Sequence, residues 1–226
     1  MTRTVKDPDE RRAELAATAQ KLFYTKGYEN TSVSDIVKAV GVAQGTFYYY
    51  FDSKQAILES VVEELLAQSL ALVQPIIRDQ NLDAITKWNQ LMQVMGNWNI
   101  ENKDDLLAMS RIMRMEENFR LRHKLRTEGT RLVASEFAPV IVQGIEEGVF
   151  DTDYPLETTE YAFTIMTMAS DACLDILFDP KQVENPANQA WDKISAAQKT
   201  VERILGAPSG SLQLTNKETL TAWFEE

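Results

Sequence analysis

Apolar residues recur along this chain at the spacing of helices, almost from end to end. Leu15, Ala19, Leu22 and Phe23 stand at i, i+4, i+7 and i+8, which is one face of a helix running from about Pro8 to Lys26 and stopped by Gly27. Thr31 and Ser32 precede a second helix whose Val33, Ile36, Val37 and Val40 form its apolar face, with Ser32 and Asp35 in capping-box spacing and Gly41 as its end. A third short helix is expected over Ala43–Tyr49. A fourth begins near Lys54, capped by Asp52 or Ser53, carries Ile57, Leu58, Val61, Val62, Leu65 and Leu66, and is expected to end before Pro75.

Beyond it the same period predicts helices over Asp83–Ile100, Lys103–Met115, Asn118–Glu147 with a kink or break at Pro139, Leu156–Phe178 and Asn188–Leu205. Residues 179–186 and 207–211 read as loops, and the tail after them as a short helix ending at Trp223 and Phe224. No repeat, low-complexity tract or strand pattern is visible. The fold expected is therefore all-α, with an amino-terminal helix-turn-helix over residues 1–53, a larger helical domain over 54–206 and a tail over 207–226.

Two short helices with a glycine turn occur in many helical proteins, so the pattern gains meaning only from the third helix. At about 100° per residue, Phe47 and Tyr50 share a side with Ala43, while Gln44, Gly45, Tyr48 and Tyr49 fall opposite. That second face offers an amide, a bare backbone and two phenols. Exposed tyrosine rings are costly in water unless their hydroxyls serve a partner such as phosphate, though packing alone also accounts for the other aromatics of the run Phe47–Phe51.

Charge bears on the same point. The 226-residue chain has a net charge of −11, poorly matched to a phosphate backbone. Through Leu58, however, 8 Lys or Arg stand against 7 Asp or Glu, and the remainder carries 15 against 27. The acidity belongs to the body, which predicts modest nonspecific affinity and strong salt sensitivity for the nearly neutral head.

The stretch from Thr31 through Gly41, Gln44-Gly-Thr-Phe-Tyr-Tyr-Tyr-Phe51 and Lys54 resembles the amino-terminal signature of tetracycline-repressor family regulators. The likeness covers about Arg11 to Leu58, including Leu22-Phe23 and Lys26-Gly27-Tyr28. After that it rests on size, helicity and a Gly144–Phe150 stretch like the family's turn before its last two helices. The resemblance implies a DNA-binding regulator, most often a repressor, released by a small effector. A homodimer built mainly from the last two long helices is expected because Tyr161–Phe178 is apolar nearly all round, and its two recognition helices then demand a near-palindromic double-stranded DNA operator. The resemblance also implies DNA contacts for Gln44, Gly45, Thr46, Tyr48 and Tyr49, a phosphate contact for Lys54, and backbone contacts where Thr31 and Ser32 open the second helix. Capping alone also accounts for Thr31 or Ser32. The chain has tyrosine where many relatives have histidine in the aromatic run, and Gln44 where many have lysine.

In the body, Trp88, Met92 and Met95 stand at i, i+4 and i+7, with Trp98, Met109, Met113, Phe163 and Met166 on the same or other helices. In the family such residues often line the effector site, and they suit an apolar ligand, but a stripe at this spacing serves a core equally well. Asp171 interrupts an apolar segment and is expected to pair with an arginine or to face solvent at a dimer edge. Arg120, Arg122, Lys124 and Arg126 read as a solvated face answering Glu116 and Glu117.

Other functions find little support. His123 and Cys173 are the lone residues of their kinds, so no histidine-rich metal site, Ser–His pair or Cys–His pair presents itself, and no glycine-rich phosphate loop is present. An enzyme, a cofactor and a metal are not expected. A helical interaction module without DNA binding is the other alternative, against which Gly45, Tyr48, Tyr49 and Lys54 argue. Cys173 reads as a packed thiol in a reducing cytoplasm. The charged start of the chain has no apolar leader, and the run Tyr161–Phe178 is broken by Thr164, Thr167, Ser170, Asp171 and Asp175, which argues against a membrane span.

Overall fold

The structure, a computed structural model, describes residues 7–180 and 184–225. The charged residues 1–6 and part of the expected 179–186 loop lie outside them. Among the described residues the chain is helical, in the order α1 (Pro8–Thr25), α2 (Val33–Val40), α3 (Gln44–Tyr50), α4 (Lys54–Arg78), α5 (Ala84–Glu101), α6 (Lys103–Arg114), α7 (Phe119–Lys124), α8 (Thr130–Glu146), α9 (Pro155–Phe178), α10 (Pro186–Ile204) and α11 (Lys217–Thr221). Packing divides it into two compact units. One holds the chain up to Gln68 together with Asp104–Arg122, and the other holds Ser69–Lys103 together with His123 onward. These units differ from the division expected from sequence, since the start of α4 and all but the first residue of α6 pack with the amino-terminal helices, and the tail packs with the second unit.

The helix starts follow local chemistry. Asp7 caps α1 by accepting from the Asp9 amide at 2.9 Å, with Pro8 in the first turn where its missing N–H costs nothing. Asp83 caps α5 through the Thr86 amide. Buried Lys87 donates to the carbonyl of Ile77 at 2.9 Å, placing a cation on the last turn of α4.

Two expectations about proline are corrected. Helix α4 does not end before Pro75 but continues through it to Arg78. Likewise Pro139 lies inside α8, and the break expected there falls earlier, in a wide π-type turn over Leu125–Gly129. In both helices the residues around the proline are deeply buried, Val73 and Ile77 in one and Phe137, Val140 and Ile141 in the other, and this packing offsets the one lost ladder bond. At 125–129 the Thr127 hydroxyl donates to the carbonyls of His123 and Lys124, competing with the regular ladder. Just upstream, buried Asn118 donates to the Ile112 carbonyl and Arg122 to that of Met113, which holds a sharp corner after α6.

The core of the second unit gathers Val73 and Ile77 of α4, Trp88, Leu91 and Met92 of α5, Phe137, Val140 and Ile141 of α8, Ala162 of α9, Val201 of α10, and Leu205 and Leu212 beyond it. Helix α9 packs most extensively on α8 and α10. A smaller cluster joins Ile176, Ala190 and Leu220, with Cys173 half-buried against it. Burial pushes the Cys173 thiol up to about 11, in keeping with an inert packed sulfur. Asp171 pairs with Arg126, one of the two expectations for it.

Gly144 of α8 faces the ring of Phe150, so closely that an added Cβ would overlap the ring edge. Gly144→Ala is therefore expected to lower stability by about 1–3 kcal/mol. Gly129, whose added Cβ meets nothing within 4 Å, should tolerate alanine without loss. Thermal melts of the two variants check the contrast.

Candidate nucleic-acid interface

The candidate interface is built on a loop that has no freedom left. Between α1 and α2, Thr31 is only 1% exposed, and its hydroxyl donates to the Gly27 carbonyl at 2.7 Å. Ser32 is left outermost, where its hydroxyl accepts from the Asp35 amide while the Asp35 carboxylate accepts from the Ser32 amide at 2.8 Å. The capping box read from the sequence is thus complete. Asp35 also pairs with Lys26 at 2.8 Å, linking the end of α1 to the start of α2. This pairing and the hydrogen bonds from Ser32 hold the Asp35 carboxyl well below its ordinary value of 3.8.

Gly41 ends α2 in the left-handed region, at φ 77°, where its amide and that of Val42 both return to the Val37 carbonyl. The turn aims α3 outward. Phe47 is fully buried and meets Phe51 with ring centroids 5.8 Å apart, while the Arg12 guanidinium lies 5.1 Å from the centroid of the Phe51 ring. Lys54, at the start of α4, donates to the Tyr28 carbonyl at 2.9 Å and lies 4.1 Å from the centroid of the Tyr28 ring. Burial pushes the Tyr28 phenol up to about 12, so it stays neutral under that ammonium.

Against this frame the outer face of α3 is open. Gln44 and Gly45 are exposed, Tyr48 is 50% exposed and Tyr49 76%, with Thr46 half-buried beside them. Tyr48 stands edge-on to Phe47, and Tyr49 edge-on to Tyr50, so neighbouring rings orient both phenols. Nothing in the fold requires a glycine at 45. Its φ is not positive and an added Cβ would meet no atom within 4 Å. Of the residues singled out from sequence, Ser32, Gln44, Gly45, Thr46, Tyr48 and Tyr49 lie at or near the surface of the helix-turn-helix. Thr31 faces inward, and the Lys54 ammonium is engaged with Tyr28. Arg12 and Lys26 belong to the frame and were not foreseen, because their partners, Phe51 and Asp35, are distant in sequence.

The eight residues proposed for an effector site are not all brought together. Met109 and Met113 belong to the first unit. Trp88, Met92, Met95, Trp98, Phe163 and Met166 belong to the second, where Trp88 and Met92 are buried in the core and Met95, Phe163 and Met166 pack against it. Phe163 stands 4.8 Å from Phe137 and 6.3 Å from Trp88 between ring centroids. The Trp88 indole N–H has no hydrogen-bond partner among the described residues.

Residues 15–61 match the family described as "Bacterial regulatory proteins, tetR family", and residues 108–193 match "Tetracyclin repressor-like, C-terminal domain". The chain belongs to the tetracycline-repressor family. Among curated relatives, the HTH-type transcriptional regulator EthR of Mycolicibacterium smegmatis is 43% identical over 61 residues, 27% of this chain and 28% of that protein. The HTH-type regulator YfiR of Bacillus subtilis is 25% identical over 72% of this chain and 79% of its own length. The fold is shared with Thermus thermophilus FadR, a TetR-family repressor solved in complex with lauroyl-CoA. That structure has a TM-score of 0.59 and 21% identity, over 83% of this chain and 93% of that one. For the first curated relatives the alignment spans less than a third of their length.

Asp35 supplies a pH test of the frame. Its folded pKa is depressed, so its contribution is present above the unfolded carboxylate range and is lost as pH falls through the folded value. Asp35→Asn should melt below wild type at neutral pH, and the gap should close as pH drops below about 4. Melting curves of both proteins across acid pH check this.

Proposed function

We propose that this protein is a cytoplasmic, sequence-specific DNA-binding transcriptional repressor, active as a homodimer and released from its operator by a small, largely apolar effector. The observation that carries the reading is the outer face of α3, where Gln44, Gly45, Tyr48 and Tyr49 are exposed around a helix anchored by buried Phe47. Such a helix enters the major groove. Gly45 lets the backbone close on the DNA, Gln44 reads a base edge, and the phenols of Tyr48 and Tyr49 donate to phosphate. Thr46 and the exposed start of α2 at Ser32 contact the backbone, with Thr31 holding that loop from behind. Lys54 has three ammonium protons, one spent on Tyr28, and the others serve a phosphate.

Dimer formation is supported by α9. It is the one helix among the described residues that is long and apolar enough to cross a membrane by length and composition, yet only 22% of its most apolar stretch is buried. Tyr161 and Met168 are each 65% exposed. A second copy of α9 and α10 covers such a face without stranding Asp171, which Arg126 already neutralises. An effector that binds the released state more tightly than the DNA-bound state shifts the equilibrium between them. Helix α4 contributes residues to both units and is the continuous element through which such binding reaches the recognition helix. FadR, with its acyl-CoA ligand, supports an apolar effector held among Trp88, Met92, Phe163 and Met166.

Selection of bound DNA from random sequence tests the reading. A near-palindromic motif with half-sites about 34 Å apart is expected. Gln44→Ala should relax preference at one position per half-site by about 1–3 kcal/mol, whereas Tyr49→Ala should weaken all sequences alike. An unaltered motif from Gln44→Ala would remove the base-reading role. For the interface, light scattering should report a dimer for wild type and a monomer for Tyr161→Glu combined with Met168→Glu.

A further inference from the structure

A groove of about 270 Å³ runs between α5 and the tail that follows α10. Apart from Met92 and Gly96, every residue around it is an amide or a hydroxyl, and none is charged. Its walls are held in place by side-chain bonds to the tail's backbone. The Asn89 side chain donates to the Ser211 carbonyl at 2.9 Å and accepts from the Gln213 amide at 2.8 Å, so one amide clamps the tail to α5 from both sides. Leu212, fully buried, plugs the strap between those two bonds, and its own amide donates to the buried Glu202 carboxylate at 3.1 Å. Farther on, the Lys103 ammonium donates to the Ala222 and Glu225 carbonyls at 3.0 and 2.6 Å. The groove is thus preformed rather than the gap beside a loose end.

Much of what lines it has no work to do in the fold. The side-chain amides of Gln90, Gln93, Asn97 and Gln213 make no hydrogen bond among the described residues. Each such amide presents both a donor and an acceptor. An apolar ligand would strip water from them and return nothing, and an anion or cation would find no countercharge. A molecule whose own groups each donate and accept matches them without loss, and the volume lies near the lower end for ligand sites.

We propose that the seam between α5 and the carboxy-terminal strap is a binding site for a neutral polyhydroxylated molecule of monosaccharide size. Gln93, Asn97 and Gln213 bind its hydroxyls, and Met92 supplies the apolar floor for its C–H face. The site shares only Met92 with the proposed apolar effector site and does not rest on the DNA-binding reading. Occupancy bridges the strap to α5 and adds to the Asn89 clamp, so it also raises the melting temperature.

Isothermal titration calorimetry of the full chain with D-glucose, D-galactose, D-mannose and myo-inositol at millimolar concentrations tests it, with glucose 6-phosphate and gluconate as anionic counterparts. At least one neutral probe is expected to bind at one site per chain and to raise the melting temperature. Gln93→Ala combined with Asn97→Ala, both at exposed positions, should weaken that binding about tenfold or more while leaving the unliganded melt unchanged. The proposal is overturned if none of the four neutral probes binds, if the double variant binds as wild type does, or if the anionic counterparts bind as tightly as the neutral ones.

Discussion

A helix as short as Gln44–Tyr50 is not stable by itself in water, because nucleation costs more than two turns of hydrogen bonds return. Burial of Phe47 makes it persist. That one ring occupies the interior of the amino-terminal unit beside Phe51, and the remaining aromatics of the run are then oriented by what Phe47 excludes. Tyr48 and Tyr49 stand outward because their neighbour is committed inward. The α1–α2 loop depends on a comparable commitment, with Thr31 turned in and its hydroxyl bonded to Gly27, so that Ser32 rather than Thr31 meets solvent. A rigid frame of this kind is what a surface that reads another molecule requires, since precision in the outer side chains is inherited from packing behind them.

The second unit handles polar groups in two different ways. Its core spends aromatic and aliphatic side chains around Trp88, and the buried Lys87 ammonium is matched to the Ile77 carbonyl on the segment it holds. At the seam with the tail the matching is by side-chain amides and one carboxylate reaching backbone amides: Asn89 to Gln213, Glu202 to Leu212 and Gln198 to Leu214. These bonds do for an irregular strap what a ladder does for a strand. They satisfy its backbone while Leu212 and Leu220 supply the apolar burial.

Helix α9 is where both treatments meet. It packs on α8 and α10 with one side and leaves Tyr161 and Met168 uncovered on another, while Thr164 and Thr167 return their hydroxyls to its own carbonyls. Threonines satisfied in this way present methyl groups rather than bare hydroxyls, which keeps the face compatible with burial.

The sequence by itself determined what depends on neighbours along the chain. Ser32 and Asp35 are three residues apart and cap α2 as their spacing demands, Gly41 takes the left-handed turn, and the apolar period places helices within a few residues of where they lie. The same locality made the outer face of α3 legible from residue angles alone. The course of the chain through Pro75 and Pro139 was not legible, because whether a proline breaks a helix depends on the burial around it. Nor was the break at Leu125–Gly129, where the hydroxyl of Thr127 competes with the ladder. Lys54 is the clearest case. The family resemblance suggested a phosphate contact there, and only the tertiary structure brought the Tyr28 carbonyl and ring beneath it, from 26 residues away. Spacing along a chain states which residues share a face, whereas the partner that a buried or half-buried group finds is decided by long-range packing, and that partner sets what the group is free to do.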